Sequence, residues 1–242
     1  MKNNLFFTGL TLCAAGSFAQ AQNTNSRPNI LFIMSDDHAT QAINVYGSML
    51  APYLPTPNIN RIANEGMRLD NCFVTNSISS PSRASIMTGQ YSHKNGVYTL
   101  DNSLNTAHPN VAKELQAAGY QTAIIGKWHL GSEPTGFDHY NVLPGQGRYK
   151  NPEFIEKGNW QQGSGGNHVL TVHTGHSTDV ITDETLQYLR TRDKSKPFFV
   201  KCHFKAPHDP WEPADRFKEL LKDVVVPEPD NMFDYYEGKG AY

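Results

Sequence analysis

The chain has 242 residues, of which 38% are hydrophobic and 18% charged, enough to bury the core of one sizeable domain. That composition excludes an integral membrane protein and a highly charged disordered chain. With 21 basic and 23 acidic residues the formal charge is −2, so no basic excess points to nucleic acid, and three cysteines cannot build a dense disulfide framework.

The N-terminus reads as an address. Lys2 supplies a positive start, Leu5 to Ala15 is an apolar run too short to span a bilayer, and Ala19-Gln20-Ala21 offers small residues around a cleavage point. Residues 1–21 are therefore expected to be a signal peptide, the protein to be exported to the periplasm or secreted, and no membrane span to remain. Cys13 would leave with that segment, and nothing in the sequence pairs Cys72 with Cys202.

Asn29 to Ser35 is a continuous apolar run bounded by Pro28 and an acidic pair, the pattern of a fully buried strand. Pro57 to Gly66 reads as a helix with Thr56 as N-cap and Pro57 in its first turn. A second helix is expected from Pro81 to Thr88, with Ser80 as its cap. Val111 to Ala118 follows as a helix stopped by Gly119, then Gln121 to Ile125 as a strand. Residues 144–176 are rich in glycine and polar side chains and read as a long surface excursion. Thr178 to Arg192 has helical spacing, and Pro197 to Phe204 is a further strand. Such alternation predicts an α/β domain with a mostly parallel central sheet.

Three unusual clusters follow three of these strands: Asp36-Asp37-His38, Gly126-Lys127-Trp128-His129 and Ala206-Pro207-His208. Ligands of open α/β sheets bind beyond the carboxyl ends of the strands, so the three clusters are expected to form one site. Adjacent carboxylates suit a hard cation such as Ca²⁺ or Mg²⁺, though a solvated turn has the same composition. Lys127 and His129, two apart, would share a side in extended chain, where a cation and an imidazole can hold an anion and move a proton. Alone, the pair reads as a surface lysine and a structural histidine. His208 sits in a proline-framed turn. Ser79-Ser-Pro-Ser-Arg83 places an arginine one turn inside a helix start, an arrangement that holds a tetrahedral oxyanion. Sulfate and phosphate both fit.

These residues carry a resemblance. Ser79-x-Pro-Ser-Arg83-Ala-Ser-Ile-x-Thr-Gly89 resembles the maturation signature of the type I sulfatases in its serine form, and Gly119-Tyr-x-Thr-Ala-x-x-Gly126-Lys127-Trp128-His129 resembles their second signature. Arg27-Pro-Asn-Ile with Asp36-Asp37, and Ala206-Pro207-His208, are similar to two further landmarks. The resemblance implies the alkaline-phosphatase-like sandwich, with residues 22–242 as the N-terminal part of a catalytic domain, because family members are longer than this chain. It also implies that Ser79 becomes formylglycine through an anaerobic maturating enzyme, and that Asp36, Asp37 and the modified Ser79 bind Ca²⁺. Arg83 would stabilise the formylglycine hydrate, Lys127 would hold sulfate oxygens, His129 would assist elimination, and His208 would protonate the leaving alcohol. Lys205-Ala-Pro-His208-Asp-Pro-Trp211, Pro227-Glu-Pro and Phe233-Asp-Tyr-Tyr look like bacterial sulfatases of the N-acetylglucosamine-6-sulfatase type, which act on sulfated mucin and heparan-like glycans. Trp211, Tyr98 and His93 are candidates for a sugar subsite. Two other readings stay open: a phosphonate or phosphodiester hydrolase of the same superfamily, and a non-catalytic glycan-binding remnant.

Overall fold

A computed structural model describes residues 27–161 and 168–235; the expected signal peptide lies outside the described residues. Six strands form one sheet: β1 (Ile30–Met34), β2 (Gln121–Lys127), β3 (His139–Leu143), β4 (Glu153–Glu156), β5 (Leu170–Val172) and β6 (Phe198–His203). Their order is β1-β6-β2-β3-β4-β5, with β1, β6, β2 and β3 parallel and β4 and β5 antiparallel. The helices are α1 (Pro57–Glu65), α2 (Ser79–Thr88), α3 (Ser92–Asn95), α4 (Val111–Ala117) and α5 (Ser177–Thr191).

The centre of the sheet is covered on both faces, so β2 and β6 are buried along nearly their whole length. Ile124, Tyr140, Val142 and Phe199 meet Ala84 and Met87 of α2 and Ala112 of α4 on one side. Ala123, Ile125, Val200 and Cys202 meet Val180 and Ile181 of α5 on the other. Fully burying one such aliphatic side chain contributes about 1.5–3 kcal/mol. Both cysteines among the described residues are free thiols, Cys72 exposed and Cys202 buried.

Several expected details change. β1 is buried on one face only: Ile30 and Phe32 pack on the first core, whereas Leu31 and Ile33 are 44% and 54% exposed. It is an edge strand that pairs with β6 alone, and nothing among the described residues covers its second face. The helix expected from Pro81 starts at Ser79, with Ile78 as N-cap; the Ser80 hydroxyl does not cap it but donates to the His129 carbonyl at 2.9 Å. Thr56 is the residue before α1, yet its hydroxyl accepts from the Asn44 amide and donates to Asn60 without capping. β2 runs two residues further than expected and takes in Gly126 and Lys127. Within 144–176, β4 and β5 replace the expected excursion, while residues 162–167 fall outside the described residues. Phe154 and Ile155 point into opposite cores, a two-residue signal too short to stand out among glycines. β3 escaped notice because His139 and Asn141 interrupt its apolar pattern.

Gly126 is what lets β2 and β6 close at their carboxyl ends. Its φ is +101°, and a Cβ there would lie 1.9 Å from the His203 carbonyl oxygen. Glycine adopts this conformation without penalty, and only glycine fits so near another backbone. Lys127 follows directly and is thereby carried to the rim of the sheet.

Candidate active site

The three clusters do converge, because β1, β6 and β2 are consecutive neighbours and their carboxyl ends share one rim. Asp36 leaves β1 with its amide bonded to the Ala206 carbonyl at 3.0 Å, which ties the first cluster to the third. Its carboxylate is 6% exposed. One oxygen accepts from the Arg83 guanidinium at 2.8 Å, and the other pairs with the Lys127 ammonium. Burial pushes the Asp36 carboxyl up, but Arg83 and then Lys127 outweigh it and hold it below the ordinary carboxylate range.

Arg83 reaches this point from α2, five residues in from the N-cap, and organises the centre. It also donates to the Lys127 carbonyl at 3.0 Å and approaches the Ser79 hydroxyl at 3.4 Å. Burial lowers its own pKa, with Asp36 opposing. Lys127 donates additionally to the Gln146 side-chain oxygen at 2.5 Å, and burial likewise lowers its pKa.

Ser79 stands at the first helical position of α2, where free backbone amides and the helix dipole favour an anion. Its Oγ shares a hydrogen with His129 Nδ1 across 2.9 Å. The expectation that Lys127 and His129 face one side in extended chain is corrected: the strand ends at Lys127, and His129 is left-handed, with φ +53°. A turn, not strand alternation, aims the imidazole at Ser79. Burial first, then Lys127 and Arg83, push the His129 pKa down to about 4, so the ring is neutral at pH 7 and able to accept a proton.

The other wall is more open. Asp37 has φ +58°, and its carboxylate is 68% exposed. One of its oxygens lies 3.7 Å from His208 Nε2. His208 Nδ1 faces its neighbour Asp209, 2.9 Å from the backbone carbonyl. The seven expected residues are thus Asp36, Ser79, Arg83, Lys127 and His129 in one bonded group, with Asp37 and His208 beside it. Of the sugar-subsite candidates, Trp211 lines a cavity of about 270 Å³ with Tyr149 and Pro207, His93 stacks on Tyr91, and Tyr98 is exposed.

Sequence reasoning missed Gln146, Tyr149 and Lys205. Tyr149 and Lys205 are buried and bonded to the His208 loop, and Gln146 is bonded to Lys127. Lys205 lay inside a stretch already singled out, but only its neighbour His208 has an obvious chemical use. Gln146 and Tyr149 lie in a glycine-rich segment with no distinguishing pattern.

Residues 28–236 match the sequence profile of the sulfatase family. The chain belongs to the sulfatase family. An N-acetylglucosamine-6-O-sulfatase of Bacteroides thetaiotaomicron is 48% identical to this sulfatase chain over 234 residues, covering 94% of it and 40% of the relative. The chain therefore spans less than half the length of that curated relative. A solved structure of an enzyme in complex with its substrate D-glucosamine-2-N,6-O-disulfate superposes with a TM-score of 0.81 at 49% identity, covering 89% of this chain and 42% of that one. A phosphonate monoester hydrolase of Agrobacterium radiobacter shares the fold at a TM-score of 0.61 and 19% identity. The mostly parallel sheet is the N-terminal portion of the alkaline-phosphatase-like fold of these sulfatases.

The metal that such a site implies is matched in kind by the donors present. Asp36, Asp37 and the oxygen of Ser79 are hard ligands suited to Ca²⁺ or Mg²⁺ and unlike the nitrogen and sulfur set of zinc. Ca²⁺ takes about 6–8 oxygens, and among the described residues no cluster of three or more His, Cys, Asp or Glu side chains is gathered to hold a cation. Asp36, Asp37 and Ser79 would supply only part of such a shell.

Proposed function

We propose that the protein carrying this chain is an exported sulfuric ester hydrolase that removes sulfate from glycans, with the 6-O-sulfate of N-acetylglucosamine or glucosamine as its substrate. The observation that carries the reading is the Ser79 hydroxyl at the start of α2, 2.9 Å from His129 Nδ1 and next to the buried Arg83. The likeness to the Bacteroides enzyme and to the disulfate-bound structure supports the sugar and the sulfate position.

An ordinary serine is a weak nucleophile at neutral pH, so the reading includes conversion of Ser79 to formylglycine by an anaerobic maturating enzyme before export. That modification supplies a hydrated aldehyde, one oxygen for attack on sulfur and a second hydroxyl whose deprotonation releases sulfate. Ca²⁺ or Mg²⁺, held by Asp36, Asp37 and the modified Ser79, would favour the deprotonated hydrate. The chain's own groups divide the remaining work. Arg83 orients the hydrate from one turn inside the helix. Lys127 presents its ammonium to the sulfate oxygens, and His129, neutral and hydrogen-bonded to the nucleophile, takes the proton that drives elimination. His208, on the open wall, delivers a proton to the leaving alcohol.

The test is sulfate release by the full-length protein from N-acetylglucosamine 6-sulfate, beside phosphate release from the 6-phosphate of the same sugar. Sulfate release that disappears in Ser79→Ala, with the fold retained by circular dichroism, supports the reading. Retained release in that variant sinks the nucleophile assignment. Faster phosphate release turns the protein into a phosphoester hydrolase, and binding without release makes it a glycan-binding remnant. A tryptic peptide containing residue 79 that is lighter by two hydrogens would mark formylglycine.

A further inference from the structure

His208 stands on a turn that two buried side chains grip from below. Tyr149, in the segment between β3 and β4, is 2% exposed, and its hydroxyl donates to the His208 carbonyl at 2.5 Å. Lys205, also 2% exposed, donates from its ammonium to the Asp209 carbonyl at 3.1 Å. That carbonyl is the group 2.9 Å from His208 Nδ1. The two gripping side chains touch as well, the Lys205 ammonium lying 5.0 Å from the centre of the Tyr149 ring. The tyrosine is itself fixed, stacked on His176 at 5.4 Å with its carbonyl accepting from the Ser177 amide at 2.7 Å.

The consequence for the imidazole follows from the order of these contacts. With Nδ1 turned to Asp209, 2.6 Å from its carboxylate and 2.9 Å from its carbonyl, the ring nitrogen left for the site is Nε2, the one facing Asp37 at 3.7 Å. Two consecutive carbonyls, those of His208 and Asp209, are each held by a buried donor, so the turn that carries the His208 ring is set by groups that lie behind it. A proton donor acts only within hydrogen-bond reach of its target, and a shift of about 1 Å can cost on the order of 10²-fold in rate.

We propose that Tyr149, seconded by Lys205, is a positioning residue for His208: its hydroxyl is committed to the His208 carbonyl and fixes the turn so that Nε2 of the imidazole faces the leaving oxygen. This rests on the reading of His208 as the leaving-group acid. It assigns a role to a tyrosine whose hydroxyl would otherwise be a buried structural donor.

Tyr149→Phe tests it cleanly, because the ring, its stack on His176 and its contact with Lys205 are kept and one hydroxyl is removed. In the full-length enzyme the expected result is a loss of roughly tenfold in kcat on the 6-sulfated sugar, part of the 10²–10⁴ that a positioned acid contributes. KM should stay nearly constant, and an activated aryl sulfate, whose leaving group needs no proton, should be turned over as before. In a His208→Ala background the same substitution should cost nothing more, since its target is gone. Equal losses on sugar and aryl sulfates, or a further loss beyond His208→Ala, would make Tyr149 a merely structural residue and overturn the proposal. So would unchanged turnover of the sugar sulfate. A crystal structure of full-length Tyr149→Phe gives a readout independent of turnover: the approach of His208 Nε2 to the Asp37 carboxylate should be lost or lengthened. Its persistence defeats the proposal even if the protein releases no sulfate, an outcome that would instead count against the proposed function.

Discussion

Lys127 and Lys201 lie on the adjacent strands β2 and β6, and each is at most 1% exposed. Their surroundings are opposite. Lys127, at the rim, is paired with Asp36 and bonded to Gln146, in a group that also contains Arg83. Lys201, in the middle of the sheet, has its ammonium 4.3 Å from the Phe32 ring and 5.9 Å from that of Phe199. Burial first, and Arg83 second, push its pKa down to about 7, and no carboxylate opposes them. At the rim, burial still lowers the pKa of both cations, but the Asp36 carboxylate opposes it and holds them in fixed positions before any ligand arrives. In the sheet interior the same burial is met only by ring faces, and the amine loses its charge near neutral pH. Burial alone therefore does not mark a functional cation; burial with a geometrically matched carboxylate at a strand end does.

The contrast can be broken from either side. Asp36→Asn has the largest expected effect, because it leaves Arg83 and Lys127 buried against a neutral group: a loss of about 3–5 kcal/mol in urea unfolding. The measurement belongs in EDTA, so that no bound cation adds its own linkage. A loss under about 1 kcal/mol would mean that solvent reaches the rim charges. Lys201→Met should act in the other direction and stabilise the protein at pH 7, by about 1–3 kcal/mol, as an unpaired buried amine gives way to a thioether of similar shape. The pH dependence is specific. The folded pKa of Lys201 is depressed from 10.5 to about 7. Between those values the unfolded chain binds more protons, so the lysine's contribution to stability rises with pH across that window. The gap between Lys201→Met and the parent should accordingly narrow from pH 7 to pH 10, and a constant gap would rule out a depressed lysine. The smallest effect is Gln146→Leu, expected to cost about 1 kcal/mol in the same unfolding assay by removing one of the two acceptors of Lys127. A cost equal to that of Asp36→Asn would move the charge compensation from the carboxylate to the amide.

Much of the site was legible because its parts are short runs of adjacent residues at strand ends. Asp36-Asp37, Lys127 to His129 and Pro207-His208 each follow an apolar run that is recognisable without any partner. Their convergence follows from a general property of parallel sheets. The helix start was harder. Ser80 before a proline has the local chemistry of an N-cap, but its hydroxyl goes to the His129 carbonyl and the helix begins earlier, at Ser79. Here a contact forty-nine residues away outcompeted a local preference. The strands β3, β4 and β5 were hidden for a related reason. They are short and bordered by polar or glycine residues, and β4 and β5 are antiparallel, so their pairing depends on neighbours more than on their own pattern.

The sequence by itself determined the class of the fold, the pairing of Ser79 with an arginine four residues on, and the three clusters that follow the strands. All of these rest on covalent neighbours, where spacing along the chain is also spacing in space. Only the tertiary structure decided which aspartate is buried between two cations and which is open, that Lys201 has no carboxylate partner among the described residues, and that Tyr149 and Lys205 hold the turn of His208. Those properties belong to pairs of residues brought together by the sheet. Burial, charge compensation and the aim of an imidazole exist only once strands distant in sequence share a rim.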